Sequence, residues 1–488
     1  MHRDLPPKLK SNSVGLAGSY AQAMAVTAPL GSVVSSLLAG AVFAGADLPL
    51  VTLLAFATSL VWIFMLTRFS KKINAAGGFY TYTSNSIGGK AGYAESVTEF
   101  MAFLLTTVFE GMFVGILVPS FLKVIGIDLP SWSWVPLTLV GVGLAIPMTC
   151  MNIGRLLNKY VAIAATTEVG FLILLGLYFV LKAGAANTLS VFTDVNLSPH
   201  GLGGLATGYL LAVISIAGAG TATYLGEETK SPGKNVSRGM WLASLLGGGS
   251  MILATYGVVV AFGVSNAAAL GSSAAPVVEL AAKASGILAL ILVGLSVNSL
   301  IVSNIGTNLS ASRILFSLAR EGGVPSVFAR LNGRKSPYLA SIFVGFVAVA
   351  ISLGTPLIMG PYDAYLMVAV AASVFWILGR IGDSLSLPLF YFRRFRAEFS
   401  LAKHLLPSVF ITAITIVGLG LSLVPVTYPE NFSLALVTVV FAAWLSAFGI
   451  LSGGAIDRIG SYVVSDDGKL QLSSFVFSSQ TETRGSLD

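Results

Sequence analysis

The chain has 488 residues, is 55% hydrophobic and 10% charged, and has a mean hydropathy of +0.85 and a formal net charge of +7. A soluble domain carries about a quarter charged residues, so this composition excludes a water-covered globule and makes lipid the solvent. Recurrent apolar runs of about 20 residues, each enough for a hydrocarbon core of about 30 Å, predict helices, because unpaired backbone groups are not tolerated in lipid.

Roughly twelve spans are expected, over 15–43, 49–69, 92–122, 134–151, 157–182, 203–226, 239–263, 286–312, 338–354, 364–392, 405–425 and 432–452. With the N-terminus inside, 24 of the 28 Lys and Arg fall on inner segments and three (Lys123, Lys182, Lys283) on outer loops. That bias predicts a cell-membrane protein with both termini cytoplasmic and accounts for the basic charge without a nucleic-acid partner. The lone Cys150 and three scattered histidines predict neither an internal disulfide nor a metal site, and the first apolar run is too long for a cleavable signal. No phosphate-binding loop of the GxxxxGK[ST] type occurs, and GLGGLA at 201–206 opens a span without a preceding soluble strand, so no cofactor is expected.

The first span reads AVTAPLGSVVSS (25–36), with Pro29 removing a donor and Gly31 loosening the chain; the sixth reads SIAGAGT (215–221). Two interrupted helices five spans apart predict inverted repeats, with a ligand site where the breaks meet. The expected organisation is a tail at 1–14, repeats at 15–182 and 203–392, peripheral helices at 405–452 and a polar, Ser-rich tail at 453–488 whose composition predicts partial disorder.

GAGTATYLGEETKSP resembles the sixth-helix segment of the amino acid–polyamine–organocation (APC) transporters, with Gly218, Glu227, Glu228, Thr229 and Pro232 in the matching places. GGFYTYTS (77–84) is similar to that family's stretch after the second helix, and SASRILFSLAREGGVPSVFARL (310–331) to its stretch ending helix eight. Where many members have Gly-x-Gly at the first break, this chain has Ala28-Pro29-Leu30-Gly31-Ser32. The resemblance implies an all-α five-plus-five inverted-repeat fold with two extra helices. It also implies a secondary active permease that imports amino acids by alternating access, not an enzyme. A polyamine or other organic cation is the alternative cargo; an ion channel or a non-transporting membrane sensor is the reading from other classes.

A half-helix N-terminus attracts a carboxylate, and half-helix carbonyls attract an ammonium. Gly31, Ser32 and Val33 are therefore expected to take the carboxylate of an amino acid, and Ser215, Ala217 and Gly218 its amino group, with a carbonyl from Ala28. Ionisable residues inside spans cost at least about 2.5 kcal/mol and mark function. Glu110, Glu168, Arg380 and Asp383 are the candidates for coupling and gating. The spacing of Arg380 and Asp383 predicts a pair on one helix face. Glu110 sits beside Gly111 and Gly115, which permit close helix contact. Some relatives carry a proton-coupling lysine near the position of Glu168. Glu168 or Glu110 is expected to bind and release a proton, giving proton symport; Ser299, Ser303 and Asn304 are the oxygen ligands expected if sodium is the coupling ion. Glu227 and Glu228 are expected to close the cytoplasmic end by pairing with Arg320 or Arg155.

Overall fold

The computed structural model describes residues 6–270, 273, 275–422, 433, 437, 455–465 and 467–473. Its first span is three pieces, α1 (Leu16–Thr27), α2 (Pro29–Val34) and α3 (Ser36–Ala44). The first gap falls at Ala28, whose φ of 39° and ψ of 63° are left-handed. Pro29 is the cause, because its ring disfavours the right-handed helical conformation at the residue before it. Ser35, at φ −113° and ψ −94°, makes the second gap.

Next come α4 (Leu48–Ser70), the short buried α5 (Phe79–Ser86) and α6 (Gly89–Val124). At about 1.5 Å per residue, α6 is about 54 Å long and outreaches a bilayer core. It is the central pillar, since nearly every side chain from Gly92 to Leu117 is buried. Any side chain at Gly111 or Gly115 would overlap Val142 or Thr138, so the expected close contact is made with α7 (Trp134–Gly143). A short α8 (Ala145–Thr149) and α9 (Ile153–Arg155) follow, then a widened turn at Leu156–Val161 and α10 (Ala162–Ala183).

The second half begins with α11 (Gly201–Ala217), which continues without a gap as a tight 3₁₀ run, Gly218–Leu225. After it come α12 (Pro232–Ala243), α13 (Gly249–Phe262), α14 (Pro276–Ala284), α15 (Gly286–Glu321), α16 (Tyr338–Met359), α17 (Pro361–Arg394) and α18 (Leu406–Ser422). Helices occupy eleven of the twelve expected ranges; the twelfth, 432–452, lies almost wholly outside the described residues. Among the described residues, nine helical stretches are long and apolar enough to cross a membrane. The outer helices present apolar faces outward, with Leu181 on α10 80% exposed and Ile358 on α16 82% exposed.

Part of the polar tail packs on the bundle. Residues Tyr462–Val464 (β1) and Leu470–Leu472 (β2) form an antiparallel hairpin with Tyr462 opposite Leu472. Its order comes from donors and acceptors on the bundle. Val464 N–H donates to Asn74 O (2.7 Å), Gly460 N–H to Glu321 Oε2 (2.9 Å) and Ser473 Oγ to Asn85 Oδ1 (2.5 Å). The N-terminal segment reaches the same end, where Lys8 Nζ donates to Gly468 O at 2.6 Å.

Candidate functional site

The two discontinuities lie against each other. A Cβ at Gly218 would overlap the Thr27 nitrogen and the Val26 carbonyl carbon, so only glycine admits this backbone contact. Ser36 and Ser215 hydroxyls share a hydrogen bond of 2.6 Å across the same pair of helices. The second discontinuity differs from the expected unwound turn. Its 3₁₀ winding keeps a hydrogen-bonded ladder, and threonines take its carbonyls: Thr221 Oγ1 donates to Gly218 O (2.6 Å) and Thr223 Oγ1 to Gly220 O (2.8 Å). Ser215 Oγ also donates to Leu211 O, Ala217 is wholly buried, and Gly218 packs directly on the first helix.

The first discontinuity does turn backbone donors away from the helical ladder. Ser32 N–H returns to Ala28 O (2.7 Å) and Ser32 Oγ to Thr27 O (2.9 Å), so Ser32 and the Ala28 carbonyl are spent inside the break. Val33 is buried one turn into α2. The outward N–H groups are those of Leu30 and Gly31. Leu30 N–H donates to Glu168 Oε1 at 2.5 Å, and Gly31 N–H to Ser299 Oγ at 2.9 Å. Ser299 Oγ in turn donates to the same Glu168 oxygen at 2.7 Å. At this break the Leu30 N–H thus meets a carboxylate tethered on α10, and the Gly31 N–H meets the Ser299 hydroxyl. Leu30 was not singled out by sequence because the identity of its side chain is irrelevant to its backbone donor.

Glu110, on α6, is buried beside Ser303 and within the field of Glu168. Ser299, Ser303 and Asn304 have separate partners. Ser299 serves the helix end, Ser303 lies by Glu110, and Asn304 Nδ2 donates to Gly141 O at 2.9 Å.

Arg380 and Asp383 do not form the expected ion pair. Trp62 of α4 stands between them: the guanidinium lies 4.5 Å from the Trp62 ring centre with Nη2 on Ser59 Oγ (3.0 Å), while Trp62 Nε1 donates to Asp383 Oδ2 (3.2 Å). Asp383 instead joins Glu95 and Glu99, with one oxygen from each within 4.8 Å of the others, all buried. The sequence signal for the two glutamates was their i, i+4 spacing near the start of α6, which puts both on one face.

At the basic end of the bundle, both glutamates after the 3₁₀ run are buried and paired. Arg320 Nη1 meets Glu227 Oε2 at 2.9 Å, as expected, while Glu228 pairs with Arg313 rather than Arg155, through two bonds of 2.7 and 3.0 Å. Glu227 Oε1 also accepts from Leu9 N–H (2.8 Å), and Glu228 O from Ser13 and Val14 N–H, strapping the N-terminal segment across this end.

Comparison with known proteins agrees with this architecture. The family model described as amino acid permease matches residues 18–456. The gamma-aminobutyric acid permease of Escherichia coli K12 is 26% identical over 364 residues, 70% of this chain and 74% of that protein. The low-affinity putrescine importer of the same organism is 25% identical over 348 residues, covering 66% and 73% of the two chains. Its D-serine/D-alanine/glycine transporter is 24% identical over 276 residues, covering 53% and 55%.

Proposed function

The chain belongs to the amino acid permease family, and from that premise we propose that it is a secondary active transporter importing an amino acid together with a proton, Glu168 linking the two. We take α1 to α10 and α11 to α17 as the two inverted repeats of a twelve-span bundle with both termini in the cytoplasm. The basic bias of the inner segments supports that orientation.

One observation carries the reading: Glu168 Oε1 accepts from Leu30 N–H at 2.5 Å and from Ser299 Oγ at 2.7 Å, at the N-terminus of a half-helix. Such an end carries about half a positive charge and binds one anion. The carboxylate of an amino acid and that of Glu168 therefore compete for the Leu30 N–H, beside the Gly31 N–H that Ser299 now takes. Protonation removes the charge of Glu168 and makes one of its oxygens a donor, so it cedes the seat to the cargo. Cargo carboxylate and proton then bind together, and the buried Glu110 carboxylate faces the ammonium group. Neither species binds well without the other, as symport requires. Release at the cytoplasmic side returns Glu168 to the helix end and resets the site. The Glu227–Arg320 and Glu228–Arg313 pairs are the cytoplasmic latch that must part for that release.

A polyamine cargo is the second reading, favoured by one feature. Glu110 and Glu168 lie in each other's field with no cationic side chain bonded to either among the described residues. A cargo without a carboxylate needs the helix end left to Glu168, so its binding does not require protonation there.

Uptake into proteoliposomes separates the readings. With labelled γ-aminobutyrate, glycine, D-alanine and putrescine as cargoes, we expect amino acid uptake driven by an acidic exterior and independent of sodium. Uptake that follows a sodium gradient, or putrescine uptake with no amino acid uptake, rejects the proposal.

A further inference from the structure

We propose that Glu95, Glu99 and Asp383 form a second seat, which takes the ammonium head of a small primary amine. These side chains lie on α6 and α17, away from the helix end held by Glu168, and the inference does not depend on that site's role.

Three features point to a ligand. First, the acceptors are buried and unused: neither oxygen of Glu95 accepts a hydrogen bond, nor does Glu99 Oε1 or Asp383 Oδ1. Glu95 is 5% exposed and Glu99 4%. The remaining two oxygens are taken, Glu99 Oε2 by the Tyr224 hydroxyl (2.5 Å) and Asp383 Oδ2 by Trp62. Leaving buried acceptors unpaired is costly, and a buried charge without a partner costs more.

Second, the spacing suits one donor group. Three oxygens within 4.8 Å of one another lie no more than about 2.8 Å from a common centre, within reach of charge-assisted N–H···O bonds. A primary ammonium has three N–H donors and no acceptor, one for each carboxylate.

Third, a small enclosed cavity adjoins the cluster, with Glu99 and Asp383 in its lining and Trp62, Phe79, Phe103 and Trp376 as walls. It admits about one water-sized species, the size of an ammonium head. Aromatic walls stabilise an organic cation through their ring faces. They supply no further oxygens, whereas a calcium ion seeks six to eight and magnesium a complete octahedron. Arg380 also lines the cavity, but its guanidinium is stacked on Trp62.

The test uses the purified full-length chain with methylammonium chloride as probe. Melting temperature is followed against concentration, with sodium chloride, magnesium chloride and tetramethylammonium chloride at matched ionic strength. We expect a saturable rise of at least about 2 °C with methylammonium only. That rise is lost in E95Q, E99Q and D383N and kept in E168Q. The proposal fails if wild-type protein shows no saturable rise, if sodium or magnesium gives the same rise, or if E168Q removes it while E95Q keeps it. The first two readouts need no variant, so a misfolded mutant cannot hide the answer.

Discussion

Replacing Glu168 with glutamine separates competition at the helix end from ordinary packing. The amide keeps the shape and still offers an oxygen to Leu30 N–H and Ser299 Oγ, now 2.5 and 2.7 Å from the carboxylate. What it loses is charge. A hydrogen bond to a charged group contributes about 1.5–3 kcal/mol and a neutral one about 0.5–1.5 kcal/mol. A carboxylate at a helix N-terminus contributes a further 0.3–1 kcal/mol or so. The tethered competitor is therefore weakened by about 1–3 kcal/mol, which is about 5- to 150-fold in the cargo's apparent affinity. Equilibrium binding of a labelled amino acid cargo to purified protein from pH 5 to pH 8 reads this out. Wild-type affinity falls as pH rises, because the cargo must bring a proton. E168Q binds with one affinity across the range, matching or exceeding wild type at pH 5, yet no longer accumulates cargo against a gradient. Weaker binding by E168Q at every pH, or an unchanged pH profile, refutes the reasoning: Glu168 would then be a structural cap and not a competitor.

Arg313→Met strands the buried Glu228 carboxylate and should destabilise the chain by about 3–5 kcal/mol. The double variant with Glu228→Gln should recover most of the lost melting temperature, and a double variant no better than the single one contradicts the pairing. Gly218→Ala puts a methyl into the Val26–Thr27 backbone, so a loss of about 1–3 kcal/mol or more and of uptake is expected; a variant with normal stability and uptake argues against that contact. Truncation before Ile456 removes the donors and acceptors that Asn74, Asn85 and Glu321 use. A lower melting temperature is expected, and an unchanged one shows that the hairpin is only loosely attached.

Much of this architecture was legible because a bilayer restricts the choices. Long apolar runs had to be helices, and Pro29 had to break one, since a proline constrains the residue before it whatever the surroundings. Gly218 read as a weak point in the sixth helix, but glycine does not say whether a helix will unwind or tighten. Here Thr221 and Thr223 hydroxyls take the carbonyls and allow a 3₁₀ winding. The exposed backbone donors after Pro29 were legible from chain direction; that Glu168 takes the one at Leu30 depends on how α10 packs beside α2, which a linear pattern does not encode. Arg380 and Asp383 have the spacing of an ion pair, yet Trp62, over 300 residues away in sequence, claims both. Glu95 and Glu99 were overlooked because they lie near the start of an apolar run, where carboxylates ordinarily meet water. The length of α6 and the cover given by α17 and the 3₁₀ run bury them instead.

The most direct measurement is a structure of the chain with an amino acid bound at acidic pH. The account predicts the cargo carboxylate on the N–H groups of Leu30 and Gly31, with Glu168 turned away from both. A cargo bound elsewhere while Glu168 keeps its bond to Leu30 contradicts it.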